Sequence, residues 1–298
     1  MPGWDEILNE VKETPSQIDY TRRRYIEKLS KYTGRNVIAY YSGFLEKGGG
    51  PNLDVNDNDM TGFMNAIKGL NCSKGLDLVL HTPGGDPTAA ESIVNYLKDK
   101  FDNDIRAIVP QIAMSAGTMI ACSAKVIIMG KQSSLGPIDP QFQGIPAHNI
   151  KQEFEEAKQD LANNPENAQY WAIKLQQYPA AFMKTALDAI ALSDELIRKW
   201  LSDLMLKDSP DGVERAVRFL TSHEDSKVHG RHYSYQDCQS NGLKIELMED
   251  DDKLQDHILS LHHSFIITFQ NTQAVKIIGN SDKKDFVSVR EVHHYENN

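Results

Sequence analysis

The segment Ile112-Ala113-Met114-Ser115-Ala116-Gly117-Thr118 joins an apolar run to a stretch of small residues, and the turn His81-Thr82-Pro83-Gly84-Gly85-Asp86 precedes it, with thirty positions between Gly85 and Ser115. Each reads as a strand ending in a small-residue turn that opens a helix. Two such units side by side bring a hydroxyl and several backbone N–H groups together, because the first N–H groups of a helix lack acceptors within it. Acyl transfer needs that set, an oxygen nucleophile beside donors that hold a developing oxyanion. On its own motif, however, a serine that opens a helix reads as an N-cap.

Working outward, the apolar run at 36–41 reads as the first strand, after a polar helix over 14–31 that stops near Gly34. Met60, Phe63, Met64 and Ile67 recur at helical spacing, and 76–80 returns to strand. Pro87 starts a helix with Ala90, Ile93, Val94 and Leu97 on one face, and strands follow at 105–110 and 125–129. Gly48-Gly49-Gly50-Pro51 reads as a plain loop, since no phosphate-cradling pattern follows it. Successive strand–helix units imply a parallel sheet with right-handed crossovers and functional groups at the carboxyl ends of the strands, where Gly84, Gly85 and Ser115 lie.

After Ala147 the chain turns helical to about Leu220, anchored by Trp171, Leu175, Phe182, Leu187, Ile190, Leu196, Trp200 and Leu201. A late strand is expected at 244–248. Leu254, Ile258, Leu261 and Phe265 fit a C-terminal helix, and 275–292 a hairpin around Asn280-Ser281-Asp282. The expected division is an N-terminal helical segment (1–34), a main domain (35–248) with a helical insertion at about 148–220, and a C-terminal helix and hairpin (249–298).

The 298 residues suffice for a substantial core, and 40% apolar with 25% charged residues is ordinary for a globular protein. A formal net charge of −10 argues against general nucleic-acid binding. Arg22-Arg23-Arg24 reads as a solvated helix face. Cys72, Cys122 and Cys238 are too few and scattered for a disulfide framework or a zinc knuckle, and reduced thiols in a cytoplasmic protein are the simpler reading. The first residues lack the marks of a signal peptide, and no run approaches the ~20 apolar residues of a membrane span. No membrane anchor is expected.

Thr82-Pro83-Gly84-Gly85 with Thr88-Ala89-Ala90, then Ala113-Met114-Ser115-Ala116-Gly117, resembles the Clp-type and signal-peptide-peptidase-A-type serine peptidases of the Clp/crotonase fold. Ser134-Leu135-Gly136-Pro137-Ile138-Asp139-Pro140-Gln141 narrows the resemblance to the serine dehydrogenase proteinase (SDH) family. It is clear over 36–147 and continues more weakly to about 248. The resemblance implies an α/β fold of repeated ββα/βα units with a mainly parallel sheet and an added helical region. It also implies Ser115 as nucleophile, an oxyanion hole made by the N–H groups of Gly85 and Ala116, and assembly into a homo-oligomer.

The general base stays open. Clp-type relatives carry a histidine roughly two dozen residues past the serine, where this chain has Asp139. A carboxylate with a pKa near ~3.9 is a poor base for a serine hydroxyl, so Asp139 is expected to orient another residue or shape the site. Lysine bases occur in signal peptide peptidase A relatives, which brings forward Lys151 and Lys184, with His148 as a further candidate; Lys158 reads as solvated. His223, Asp225, His229 and His232 match no zinc signature and read as a packed loop, with the alternative that His223 or His229 reaches the Ser115 cleft. His262-His263 and His293-His294 read as exposed.

The resulting expectation is a serine peptidase acting on peptide or protein substrates, without metal, cofactor or ATP. The same fold also suits a crotonase-like acyl-CoA enzyme, which needs no serine, or a catalytically silent interaction module.

Overall fold

The computed structural model describes Ile7 and residues 17–142, 144–222 and 228–290. Its centre is a seven-stranded sheet. In chain order the strands are β1 (Asn36–Ser42), β2 (Leu76–His81), β3 (Ile105–Val109), β5 (Val126–Met129), β9 (Ile245–Leu247), β10 (Ala274–Asn280) and β11 (Asp285–Val289), and in space they run β11-β10-β1-β2-β3-β5-β9. From β1 to β9 every neighbouring pair is parallel, while β10 and β11 return antiparallel at one edge. This is the mainly parallel α/β arrangement that the strand–helix alternation implies.

Parallel strands carry helices on both faces, so their sequences read as apolar runs rather than alternating ones. In β1 all seven residues are buried. Ile38 and Tyr40 pack on one side with Leu78, Leu80, Ala107, Val109, Ile127 and Met129. Val37, Ala39 and Tyr41 pack on the other with Val79, Ile108 and Ile128. The first side is covered by α2 (Asp59–Ile67), α3 (Pro87–Phe101) and α4 (Ala116–Cys122). The second is covered by α1 (Gln17–Thr33) together with a long C-terminal helix at Asp252–Asn271. Helix α3 begins as its sequence suggests, with Pro87 in the first turn and the Asp86 carboxylate accepting the Thr88 N–H at 2.8 Å.

Between β5 and β9 the chain forms α5 (Ala147–Asn163), α6 (Ala168–Leu175), α7 (Phe182–Trp200), α8 (Pro210–Thr221) and α9 (Tyr235–Ser240), which makes the Asp252–Asn271 helix α10. The C-terminal end of α7 (Leu196, Ile197, Trp200) joins the main core. Its N-terminal half instead packs in a satellite cluster with Phe142, Ile150, Phe154 and Tyr178.

A second ladder of short pairings runs past the carboxyl ends of the strands. In it Val55 bridges Gly85, Thr82 bridges Ala113, β4 (Ile112–Ala113) pairs β6 (Ser134–Leu135), and Leu135 bridges Tyr233, while β7 (Gln141–Phe142) and β8 (Ile145–Pro146) form a separate antiparallel pair. Segments far apart in sequence are thereby laid side by side.

Two expectations are overturned. Arg22 is no solvated residue: it is 1% exposed on α1 and reaches Asp285 at 2.7 Å and Asp19 at 2.7 Å, with the Arg23 Nε also 2.7 Å from Asp285. The helix lies on the sheet, and β11 supplies the countercharge that lets a guanidinium be buried. His262 is likewise buried rather than exposed, because it occupies the face of α10 turned to the sheet; His263 is half-buried. His293 and His294 lie outside the described residues.

Candidate active site

Ser115 stands between β4 and α4 with φ +48° and ψ −117°, and its side chain makes no capping hydrogen bond. The N-cap role that its motif suggests is therefore not the one it has. A β-carbon at such a φ is strained, and a residue keeps that conformation only where its surroundings over-determine it. The sharp turn resembles the strand-to-helix elbow that presents a nucleophilic serine in hydrolases.

Met114 N–H donates to the Thr82 carbonyl at 3.1 Å, Thr82 N–H donates to Ile112 at 3.2 Å, and the Thr118 hydroxyl lies 2.8 Å from the Ala113 carbonyl. The same hydroxyl accepts the Gly136 N–H at 3.0 Å, which ties the segment leading to Asp139 to the serine helix. Gly84 (φ +97°) packs directly on the elbow: a Cβ there would stand 2.6 Å from the Met114 carbonyl and 2.7 Å from the Ser115 Cβ. Gly85 (φ +149°) packs on the opposite side, where a Cβ would stand 2.5 Å from the Val55 nitrogen. Only glycine fits either position. Among the described residues the Gly85 N–H has no hydrogen-bond acceptor, and the Ala116 N–H, at the first position of α4, has none inside its helix.

Gly84, Gly85 and Ser115 border a cavity of about 450 Å³ that is also lined by Asp54, Met119, Asp139, Phe142 and His229. Asp139 is 1% exposed. Its segment is pinned by Ile138 N–H donating to the Leu220 carbonyl at 2.7 Å, and Gln141 Nε2 donates to the carboxylate at 3.2 Å. His229 comes from a segment 114 residues past the serine. It is delivered by the second ladder: Leu135 and Tyr233 exchange backbone hydrogen bonds of 3.1 and 2.8 Å, and Ser134 Oγ lies 2.7 Å from His232 Nδ1. Ser115, Asp139 and His229 thus face one cavity.

The other candidate bases do not line it. Lys151 and Lys158 are exposed on α5, Lys184 is exposed on α7 and ion-paired with Asp188, and His148 is half-buried at the start of α5. Exposure leaves these lysines without the burial that a lysine base needs. His223 and Asp225 lie outside the described residues. Among the described residues no three His, Cys, Asp or Glu side chains converge as metal ligands, and no helix is long and apolar enough to cross a membrane. A larger cavity of about 900 Å³, with Arg215, Arg218 and Arg231 among its walls, holds no serine, cysteine or threonine.

Two further groups were not singled out by sequence. His81, the last residue of β2, is fully buried with ring-centroid distances of 5.5 Å to Tyr41, 5.1 Å to Phe44 and 5.2 Å to His262. Burial pushes its pKa down to about 4, against a small opposing pull from the Ile112 backbone. Lys276 is buried inside the apolar strand β10, and its charge amid Ala274-Val275-Lys276-Ile277-Ile278 is a signal the sequence does carry.

Fold and site together are a mainly parallel α/β sheet with a strained serine packed against a glycine turn at the carboxyl ends of its strands. The sequence model of the ClpP-like SDH-type serine proteinases matches residues 11–166, and the chain belongs to that family. It is 41% identical over 106 residues to the uncharacterized protein MJ0137 of Methanocaldococcus jannaschii, covering 36% of this chain and 37% of that one. It is 34% identical over 136 residues to the uncharacterized protein MJ1495 of the same organism, covering 45% and 46%. The chain thus spans less than half the length of these curated relatives.

Proposed function

We propose that this chain is a serine peptidase that cleaves peptide or protein substrates through an acyl-enzyme on Ser115. The observation that carries the reading is the strained Ser115 elbow, whose hydroxyl is not used as a cap and borders the same cavity as Asp139 and His229. His229 takes the Oγ proton as Ser115 attacks the scissile carbonyl, and the N–H groups of Gly85 and Ala116 hold the oxyanion. Asp139 orients the imidazole and stabilises its charged form. The imidazolium then gives the proton to the leaving amine, and water hydrolyses the ester by the same relay. With His229 as the base, Asp139 is its partner and no lysine is needed.

No step calls for a metal, a cofactor or ATP. By family resemblance the peptidase works as a homo-oligomer, and its three free cysteines suit a reducing, cytoplasmic setting. A crotonase-like acyl-CoA enzyme would use the same N–H groups but gives no role to a strained serine. Labelling by a fluorophosphonate together with hydrolysis of an unfolded protein tests the reading: wild type reacts in both assays and Ser115→Ala in neither. Unchanged turnover in Ser115→Ala sinks it.

A further inference from the structure

A charged cluster lies buried behind the oxyanion turn, and the mechanism above does not use it. Lys276 Nζ, on a side chain only 1% exposed, donates to Asp59 Oδ1 at 2.7 Å and to the Asp54 carbonyl at 2.6 Å. The other carboxylate oxygen of Asp59 accepts from the Tyr40 hydroxyl at 2.7 Å and from the Asn56 N–H at 3.0 Å. Lys276 thus grips residues 54–56 at the Asp54 carbonyl, and Asp59, its partner, grips them at the Asn56 N–H. That segment in turn grips the glycine turn: Val55 N–H donates to the Gly84 carbonyl at 2.7 Å, and Asp86 N–H donates to the Val55 carbonyl at 2.9 Å.

An apolar strand gains nothing from a lysine that must be desolvated, since a buried ion pair seldom stabilises more than well-packed apolar groups would. What the pair does supply is direction. An ammonium with two fixed acceptors holds a backbone carbonyl at a set distance from a carboxylate, which a methionine of similar volume does not. Burial pushes the Lys276 amine below its ordinary range, and the Asp59 carboxylate works against that shift, so the pair is coupled to its dry surroundings.

We propose that Lys276 is a positioning residue for the oxyanion donor: from the C-terminal strand it fixes residues 54–56 against Gly84 and Gly85, and so sets where the Gly85 N–H points relative to Ser115. The catalytic consequence rests on the peptidase reading above. The clamp itself does not.

The test compares wild type with Lys276→Met and with Lys276→Met/Asp59→Asn, the second variant avoiding an unpaired buried carboxylate if the first folds poorly. Backbone amide hydrogen exchange is measured at Val55 and Asp86, with strand amides of β2 and β3 as controls, and kcat and KM are measured on a peptide substrate well below the unfolding temperature. The expected result is faster exchange at Val55 and Asp86 with the controls unchanged, a fall in kcat of roughly 10- to 100-fold, approaching the loss of a whole oxyanion donor, and a KM within about twofold. A general loss of stability would instead raise exchange everywhere and leave kcat of the folded fraction intact. Retained protection at Val55 and Asp86 overturns the proposal whatever the activity, and so does lost protection with unchanged kcat. A wild type that hydrolyses no peptide sinks the peptidase reading alone, and the exchange data still decide whether Lys276 sets the turn.

Discussion

Gly84 and Ser115 are in van der Waals contact across the site, so close that a Cβ on Gly84 would stand 2.7 Å from the Ser115 Cβ. The turn that carries one proposed oxyanion donor is therefore also the wall that fixes the proposed nucleophile. Gly84→Ala should cost about 1–3 kcal/mol of stability for the left-handed φ and displace the elbow besides. Fluorophosphonate labelling is expected to fall by far more than urea denaturation at neutral pH would explain. A labelling rate that tracks the folded fraction would mean the contact is structural only.

The Ser115 backbone offers a test that separates strain from chemistry. Both Ser115→Ala and Ser115→Gly should be inactive, but only glycine relieves φ +48°. Relief of about 1–3 kcal/mol of strain, offset by roughly 0.5–1 kcal/mol of glycine chain entropy, leaves the glycine variant more stable by about 1 kcal/mol. Denaturant midpoints of the two variants measure this, and an alanine variant as stable as the glycine one would remove the strained elbow from the argument.

For the base, His229→Ala and Asp139→Asn should each lower kcat by roughly 10²–10⁴, the usual worth of general acid–base help, while Lys151→Ala and Lys184→Ala stay near wild type. Since imidazole must be neutral to accept the serine proton, kcat/KM should fall on acidification as the ring takes up a proton. A profile flat from about pH 5 upward would point to a carboxylate base instead.

How much of this was legible in the sequence follows from how local each signal is. Strands β1, β2, β3 and β5 show as apolar runs because both of their faces are buried, and Gly85 and Ser115 show because two small-residue turns at strand ends occur together at family-like spacing, although Ser115 alone would read as an N-cap. Which distant segment reaches the cleft shows only as an alternative, His223 or His229, set beside a plain packed loop. His229 arrives through the Leu135–Tyr233 bridge, a long-range pairing that no local pattern encodes. Arg22 looks solvated for the same reason, its partner Asp285 lying 263 residues away.

Acid should weaken the protein through the aromatic box below the turn. His81 has a folded-state pKa of about 4, below its unfolded value near ~6.5, so between these pH values the unfolded chain binds the extra proton. Its contribution is fully present above about pH 6.5 and is lost as pH falls toward 4, on the order of 3 kcal/mol in all. His262, also depressed by burial and by its neighbours His81 and His263, adds in the same direction. Tyr41 and Phe44, the other rings around His81, carry no charge in this range. His81→Phe should lose less stability than wild type between pH 7.5 and 5 in urea titrations, and equal losses would show that His81 does not govern the acid limb.

Substrate choice should follow the cavity that adjoins the cleft. A space of about 620 Å³ is walled by Phe142, Ile145, Tyr178, Pro179 and Phe182, and it shares Gln141 and Phe142 with the Ser115 cavity. Phe182 meets Phe142 edge-on at 5.2 Å and stacks on Tyr178 at 5.6 Å, so the wall is a connected aromatic surface rather than isolated side chains. An aliphatic or aromatic substrate residue seated there gains about 1.5–3 kcal/mol from burial, roughly a 10- to 100-fold preference in kcat/KM over glycine or aspartate at the same position. Phe182→Ala should remove most of that preference while leaving fluorophosphonate labelling unchanged, because the small probe does not extend beyond Ser115. A peptide series in which wild type and Phe182→Ala rank substrates alike would show that the aromatic wall serves packing of the helical region and not recognition.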